Sequence, residues 1–199
     1  MPLRSHFSDN QIIECGCDEV GRGCIAGPLY AAAVILPYDY QNDSINDSKQ
    51  LSATKRKQLR EIIERDAIAW AIGIVSEQEI DKINILNASF LGMTRAIEQL
   101  KPVPDLLLID GNRFINKTGI RHLTIVKGDA TFLSIAAASI LAKCYRDEFM
   151  EHLHDEYPQY GWKDNKGYPT QQHQDALLAY GYTPYHRRSF QLKRQLRLF

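Results

Sequence analysis

The order of strand-like and helix-like segments constrains the fold of this chain most. Two short apolar segments, 11–18 and 29–36, come first, and both are too short for typical helices. Segments with helical spacing then alternate with further short apolar segments. The predicted helices cover 53–65, a segment that begins after Ser76, 87–100, 132–157 and 170–180, and the other predicted strands cover 67–75, 105–109 and 122–126. This order is typical of an α/β fold in which helices flank a mixed β-sheet.

The size and composition of the chain fit one globular domain. It has 199 residues, of which 44% are hydrophobic and 24% charged, and these values exclude disordered and collagen-like chains. No apolar segment approaches the ~20 residues that span a bilayer, and the first residues lack the apolar segment of a signal peptide. We therefore expect one cytoplasmic, monomeric domain over 1–199 without membrane contact, in which 158–199 form a helical, basic extension.

The charges are balanced overall but unevenly distributed. Lys and Arg number 24, as do Asp and Glu, and a net charge of zero taken alone argues against a nucleic-acid partner. All the acidic residues, however, lie at or before Asp175, so the last 24 residues carry +5 and the rest of the chain −5. The distribution therefore favours a phosphate-binding tail beside an acidic body.

The four cysteines are predicted to be reduced and structural. Cys15, Cys17, Cys24 and Cys144 are too few and too clustered for a disulfide framework. The histidines are scattered, and no second cysteine pair completes a zinc site. Cys15 and Cys17 should share one face of the first strand, because side chains alternate along a strand.

Carboxylates stand at the ends of three predicted strands. Asp18 and Glu19 end the first strand, Asp110 follows the fourth and Asp129 follows the fifth. Carboxylates brought together repel one another unless a cation neutralises them, and Mg²⁺ and Mn²⁺ prefer such oxygen ligands. Asp18 and Glu19 would share one site only if the chain turns there, since neighbours on a strand point to opposite faces. The alternative is that these acids are ordinary turn formers.

A glycine turn follows the first acidic pair. Gly21, Arg22 and Gly23 allow the backbone to approach a ligand closely. Residues 21–26 also match the G-x-G-x-x-G/A dinucleotide pattern, but that pattern requires a helix directly after the glycines. A predicted strand follows here instead, so we reject a dinucleotide site, and the chain has no P-loop sequence.

Polar residues on the longest predicted helix form a second candidate site. Ser139, Lys143 and Asp147 have the spacing i, i+4, i+8, which places them on one face of an alanine-rich helix. A hydroxyl and an ammonium group there suit a phosphate oxygen. The alternative is a Lys–Asp pair on a solvated face.

Aromatic and basic residues cluster in the C-terminal part. Stacking on sugars or bases beside phosphate contacts would use Tyr157, Tyr160, Trp162, Lys163, Lys166 and Tyr168. Surface tyrosines beside lysines are also common without such a role. Residues 186–188 (HRR) are expected to anchor a nucleic-acid backbone. Residues 46–49 (NDSK) form either a phosphate-facing loop or an Asx turn.

Together these segments resemble a known family, the bacterial type 2 ribonuclease H or ribonuclease HII. The resemblance extends from about residue 15 to 190. Its motifs are CDEVGRG (17–23), NDSK (46–49), LIDGN (108–112), KGD (127–129), SIAAASILAK (134–143), RD (146–147), KGYPT (166–170) and HRRSF (186–190). The family implies a ribonuclease H-like fold with a helical C-terminal part. It also implies endonucleolytic cleavage of the RNA strand of RNA–DNA hybrids and of DNA 5′ to an embedded ribonucleotide.

The resemblance assigns roles to individual positions. It implies a Mn²⁺ or Mg²⁺ site, with two metal ions, held by the catalytic residues Asp18, Glu19, Asp110 and Asp129. It places Gly21, Arg22 and Gly23 on the loop that senses the ribose 2′-hydroxyl. It implies that Tyr168 packs against the sugar of the nucleotide after the ribonucleotide. Phosphate contacts are implied for Asn46, Lys49, Ser139 and Lys143, with Asp147 as a supporting residue. Two positions depart from the family. Cys17 stands where the family usually has an aliphatic residue, and Cys24 stands where it usually has Pro. Neither cysteine is a proposed metal ligand.

The predicted reaction is metal-assisted hydrolysis of the phosphodiester 5′ to a ribonucleotide, which leaves a 3′-hydroxyl and a 5′-phosphate. The predicted partners are RNA–DNA hybrids and DNA duplexes that contain ribonucleotides. Two alternatives remain open. One is a two-metal nuclease that cuts plain DNA, and the other is a non-catalytic nucleic-acid-binding module that uses the basic tail.

Overall fold

One mixed β-sheet forms the centre of the molecule. The computed structural model describes residues 3–45 and 51–190. The strands in these ranges are β1 Glu14–Val20, β2 Leu29–Ile35, β3 Ala69–Val75, β4 Leu106–Asp110 and β5 Arg121–Ile125, in the order β3-β2-β1-β4-β5. β1, β2 and β3 pair antiparallel, whereas β4 and β5 continue the sheet parallel to β1. The predicted mixed sheet is confirmed.

The predicted helices are also present in the described residues. They are α1 Ala53–Asp66, α2 Glu77–Ile83, α3 Ile85–Ile97, α4 Leu133–Glu156 and α6 Gln171–Tyr180, and the short helix α5 Trp162–Asn165 was not predicted. α2 begins with the predicted capping box, in which the Ser76 hydroxyl accepts from the Glu79 N–H and the Glu79 carboxylate accepts from the Ser76 N–H. α6 ends at Gly181, whose φ of 79° suits glycine.

Several element boundaries differ from the prediction by two or three residues, and two of the differences have an identifiable reason. β1 continues to Val20, so Asp18 and Glu19 lie within the strand and not at a turn. Pairing with β2 up to the bridge between Val20 and Tyr30 extends the strand beyond its apolar part. α3 begins two residues early, because the Asn84 side chain accepts hydrogen bonds from the first backbone N–H groups of the helix.

Helices cover both faces of the sheet. α4 packs against β1 and β2, and a side chain at Gly16 would overlap the backbone of Ser134. This close approach explains the alanines of α4, which are fully buried at positions 136–138. On the opposite face α3 packs against β3, where a side chain at Gly73 would overlap Gly92. α4 is thereby placed beneath the strand that carries Asp18.

The described part of the C-terminal segment packs against the body. Residues 158–190 close over the loop between β1 and β2, where the Arg187 N–H donates to the Ile25 carbonyl and Ala26 bridges to His186. A core cluster around Trp162, Tyr160 and Met150 fills the space between them. Within 3–45 and 51–190, none of the helices combines the length and the apolar character that crossing a bilayer requires.

Candidate active site

Two carboxylates meet at the centre of the sheet. β1 and β4 are neighbouring parallel strands with Cys17 opposite Ile109. One residue further along, Asp18 and Asp110 therefore stand side by side near the carboxyl ends of both strands. The side chain of Asp18 is buried and that of Asp110 is partly buried. The parallel pairing thus brings together two acids that are 92 residues apart in the sequence.

The electrostatics of Asp18 reflect this crowding. Burial raises the pKa of Asp18 well above its ordinary value, and the neighbouring carboxylates of Glu19 and Asp110 raise it further. Hydrogen bonds from the Ser139 hydroxyl and from the Glu19 N–H, at 2.7 Å, act in the opposite direction. The ionised form of Asp18 is therefore costly unless a positive charge lies beside it.

Glu19 follows Asp18 in β1, and its side chain is only 9% exposed. Its Oε1 accepts a 3.1 Å hydrogen bond from the guanidinium of Arg22. The carboxylate is close enough to Asp18 to raise the pKa of that residue. Both acids therefore influence one location even though no turn separates them.

Asp129 is positioned by a short 3-10 turn, Gly128–Ala130, that follows β5. The Gly128 N–H donates a 2.7 Å hydrogen bond to Oδ1 of Asp110, and the Asp129 side chain is buried. The turn is entered through Lys127 in the left-handed conformation, with φ 56°. This geometry ties the third acid-bearing segment directly to the second.

The carboxylate oxygens of the candidate site are suitable ligands for a hard divalent cation. Within the described ranges, no three His, Cys, Asp or Glu side chains are already arranged as a metal-binding group. Carboxylate oxygens are nevertheless the ligands that Mg²⁺ and Mn²⁺ prefer, and the pKa of Asp18 is raised by burial first and then by the charges of Glu19 and Asp110. The metal ligand set therefore stays a prediction.

The polar face of α4 divides into two parts. Ser139 is buried and donates to Asp18, so it supports a carboxylate at the site. One turn further, the Lys143 ammonium donates to Oδ1 of Asp147 at 2.6 Å, and Arg56 lies 3.7 Å from the other oxygen of Asp147. The predicted common face is confirmed, and the phosphate contacts of Ser139 and Lys143 remain predictions.

The glycine turn and Tyr168 lie together. Gly21 has a φ of 100°, and a side chain on Gly23 would lie 3.6 Å from the ring of Tyr168. The tyrosine is 41% exposed, and its hydroxyl interacts with the Cys24 thiol. The side chain of Arg22 is 53% exposed. The glycine turn, which the resemblance assigns to recognition of the ribose, is thus adjacent to Tyr168, which it assigns to the following sugar.

Two predictions about the C-terminal part are wrong for some of their residues. Tyr160 and Trp162 have exposures of 1% and 0% and pack in the core, so they do not stack on a nucleic acid. His186 and Arg187 are also buried and are not a surface anchor for phosphates, whereas Arg188 is exposed and its phosphate contact stays a prediction. Arg187 instead donates to backbone carbonyls of the glycine turn, including that of Gly21 at 2.7 Å. Composition alone had suggested a surface role, because buried arginines are rare.

Sequence reasoning missed Arg146, which is fully buried in α4. Its guanidinium donates to three backbone carbonyls around the candidate site, those of Ala26, Pro28 and Lys166. One signal was available: Arg146 follows Ser139 by seven residues, which places both on the same helical face. Asn46 and Lys49 lie outside the residues that the structure describes.

All four cysteines are free thiols and buried, as predicted. Cys15 and Cys17 lie on the same face of β1 with their sulfur atoms 3.7 Å apart. Burial raises the pKa of the Cys17 thiol well above its ordinary value, which keeps this thiol protonated.

Comparison with known proteins agrees with this architecture. The ribonuclease HII of Bacteroides fragilis strain YCH46 is 62% identical over 193 residues, covering 96% of both chains. The ribonuclease HII of Parabacteroides distasonis is 66% identical over 180 residues, covering 90% of both. The crystal structure of ribonuclease H2 from Pyrococcus horikoshii OT3 superposes with a TM-score of 0.76 at 25% identity, covering 92% of this chain and 96% of that one. With the ribonuclease HII family profile matching residues 15–193, this chain belongs to the ribonuclease HII family.

Proposed function

We propose that this chain hydrolyses phosphodiesters 5′ to ribonucleotides in RNA–DNA hybrids and in duplex DNA, using Asp18, Glu19, Asp110 and Asp129. As a member of the ribonuclease HII family, the chain is a ribonuclease H, an endonuclease that cleaves the RNA strand of RNA–DNA hybrids. The proposal concerns which residues perform this reaction and how the ribonucleotide is recognised.

The observation that carries the proposal is the convergence of carboxylates at the ends of β1 and β4. Asp18 and Asp110 are neighbours across two parallel strands, Glu19 raises the pKa of Asp18, and the turn of Asp129 is bonded to Asp110. An ordinary turn-forming role does not require the acid-bearing segments of three strands to approach one another. The burial of Asp18 and its repulsion by Glu19 and Asp110 cost stability, which favours a function that needs the charge.

We infer that these four acids hold Mn²⁺ or Mg²⁺, with two ions as the expected number. The bound metal would supply charge stabilisation for the attacking and leaving oxygens of the displacement. The protein orients the acids: Ser139 and the Glu19 N–H hold Asp18, and Gly128 holds Asp110. The products of the proposed reaction are a 3′-hydroxyl and a 5′-phosphate.

The glycine turn and Tyr168 are proposed to recognise the substrate. Backbone groups of Gly21, Arg22 and Gly23 would face the 2′-hydroxyl, which distinguishes a ribonucleotide from a deoxyribonucleotide. Tyr168 is half-exposed beside Gly23, and its ring would pack on the next sugar. Lys143, with its ammonium oriented by Asp147, would contact a phosphate.

Further parts of the proposal concern the setting of the reaction. We propose a monomeric, cytoplasmic enzyme whose partners are RNA–DNA hybrids and ribonucleotide-containing DNA duplexes. Residues 1–199 would act as one catalytic domain, with 158–199 as its C-terminal extension, and Asn46 and Lys49 would add phosphate contacts.

The test compares two duplexes that differ in one 2′-hydroxyl. The purified chain is incubated with a DNA duplex carrying a single ribonucleotide and with the matching all-DNA duplex, each with and without Mn²⁺. We expect metal-dependent cleavage 5′ to the ribonucleotide and none of the all-DNA duplex. Equal cleavage of both duplexes would indicate a general DNA nuclease, and metal-independent binding without cleavage would indicate a binding module.

A further inference from the structure

The loop between β1 and β2, residues 21–28, is here called the glycine loop, and residues 166–168 are called the tyrosine segment. The two run side by side. The Ile25 N–H donates a 2.9 Å hydrogen bond to the Gly167 carbonyl, and a side chain at Gly167 would overlap the Ala26 carbonyl. The distance between Gly23 and the Tyr168 ring therefore depends on how these two backbones are held.

Arg146 on α4 bonds to the backbones of both the glycine loop and the tyrosine segment. Its guanidinium donates to the Ala26 carbonyl at 3.0 Å and to the Pro28 carbonyl at 2.9 Å, both in the glycine loop. The third donor reaches the Lys166 carbonyl in the tyrosine segment at 2.8 Å. One planar, rigid group on α4 thus joins the two segments that the proposed function assigns to ribonucleotide recognition.

The surroundings of Arg146 leave little room for adjustment. The side chain is fully buried, and a side chain on Gly21 would lie 2.5 Å from its Nε, so the loop needs glycine there. A buried guanidinium is strongly unfavourable unless its N–H groups are bonded, so the three carbonyls are held tightly to it. The link differs from that of Arg187, which bonds Gly21 and Gly27 within the glycine loop.

We propose that Arg146 is a positioning residue that sets the gap between the glycine loop and Tyr168, and thereby the preference for a ribonucleotide followed by a deoxynucleotide. The inference rests on the proposed function, in which the glycine loop faces the 2′-hydroxyl and Tyr168 packs on the next sugar. A change in the gap alters the fit of the two nucleotides together, while the carboxylates on β1 and β4 keep their places.

The experiment compares two duplexes in the presence of Mn²⁺. In the first, a single ribonucleotide is followed by DNA, and in the second the same ribonucleotide is followed by three more. Arg146→Lys removes the fork of donors that joins the two segments, and Gly167→Ala changes the gap directly by pushing the tyrosine segment away from Ala26. The measured quantity is the ratio of kcat/KM on the two duplexes.

Matched controls separate positioning from general damage. Arg60→Lys changes an arginine that bonds Glu64 and Glu148 and contacts neither segment. Gly181→Ala places a side chain at a φ of 79° where nothing lies within 4 Å. Thermal unfolding of every variant shows whether it is folded, and if Arg146→Lys fails to fold, Gly167→Ala decides.

We expect the ratio to fall by about tenfold in Arg146→Lys and Gly167→Ala and to remain at the wild-type value in both controls. An unchanged ratio in the folded variants, with both duplexes slowed equally, would overturn the proposal. So would a wild-type protein that prefers neither duplex. A wild-type protein that cleaves neither duplex would instead overturn the proposed function itself.

Discussion

The Gly128 N–H donates a 2.7 Å hydrogen bond to Oδ1 of Asp110, and this bond joins the turn after β5 to the end of β4. Asp129 is the next residue in that turn, so its position depends on the same bond. Asp110 and Asp129 are 19 residues apart in the sequence (129 − 110), and neither strand alone places them together. The bond therefore explains how the short turn after β5 can hold Asp129 in a defined position relative to Asp110.

Replacing Gly128 with alanine is expected to reduce cleavage more than stability. The new methyl group would lie 2.6 Å from Ile135 Cδ1 and 3.3 Å from Asp110 Oδ1, so either the Ile135 side chain or the turn must shift. We expect a loss of about 100-fold in kcat/KM, because misplacement of about 1 Å at a catalytic group has that effect, with about 1 kcal/mol of destabilisation. Cleavage assays and thermal unfolding measure both, with Gly119→Ala, in open space, as the control. Unchanged activity in a folded variant would contradict this account.

Tyr168 is expected to act through its ring. Tyr168→Ala should lower kcat/KM on a single-ribonucleotide duplex by about tenfold, the range found for one stacked contact, whereas Tyr168→Phe should stay near the wild type. Tyr180→Ala removes a tyrosine that is 65% exposed on α6 and serves as the control. Equal losses in Tyr168→Phe and Tyr168→Ala would show instead that the hydroxyl, which interacts with Cys24, is the important group.

Lys143 is expected to contribute one phosphate contact. The salt dependence of duplex binding, plotted as log K against log salt concentration, should become shallower by about one unit in Lys143→Ala. Lys101→Ala is the control, because this exposed lysine precedes β4 at the end of the strand remote from Asp110. An identical slope in Lys143→Ala and the wild type would mean that Lys143 pairs only with Asp147.

The buried histidine pair should make stability fall in acid. Burial lowers the pKa of His186 from 6.5 to about 3, with a smaller contribution from His173, 3.2 Å away. Between these pH values the unfolded chain binds a proton that the folded chain does not, so the free energy of unfolding decreases as the pH falls from about 6.5 towards 3.

Denaturation of the wild type and of His186→Gln at several pH values tests this dependence. The variant should be less stable at pH 7, since it disturbs the hydrogen bonds with His173 and Thr183, and its stability should fall less steeply in acid. His152→Gln, at an exposed position on α4, should retain the wild-type slope. The same slope in all three proteins would rule out His186 as the source.

Local signals in the sequence were sufficient for most of the fold. The alternation of short apolar and helical segments predicted the sheet and its helices, and the Ser76–Glu79 capping box appears as expected. The predicted boundaries were less accurate where strand pairing or a side-chain cap determined them. Examples are the end of β1 and the start of α3, which the Asn84 side chain caps. These depend on partners that are distant in sequence or on unusual backbone angles.

The candidate site was predictable in its acids but not in its supports. Asp18 and Asp110 were identified because each was expected at the end of an apolar strand, and the parallel pairing of β1 and β4 places them together. The burial of Arg146 and Arg187 was not predictable, because the carbonyls that compensate their charge come from segments up to 166 residues away. Composition therefore overestimated the exposed positive charge: Arg187, one of the five basic residues of the tail, is inside the protein.

The most direct test of the central claim is cleavage of a single-ribonucleotide duplex by Asp110→Asn, measured with Mn²⁺ or Mg²⁺ beside binding of the same duplex. Asparagine keeps the size of the side chain and an acceptor for the Gly128 N–H, but removes the charge. We expect cleavage to be abolished while binding is largely retained. Full cleavage activity in Asp110→Asn would contradict the assignment of the carboxylates to the catalytic site.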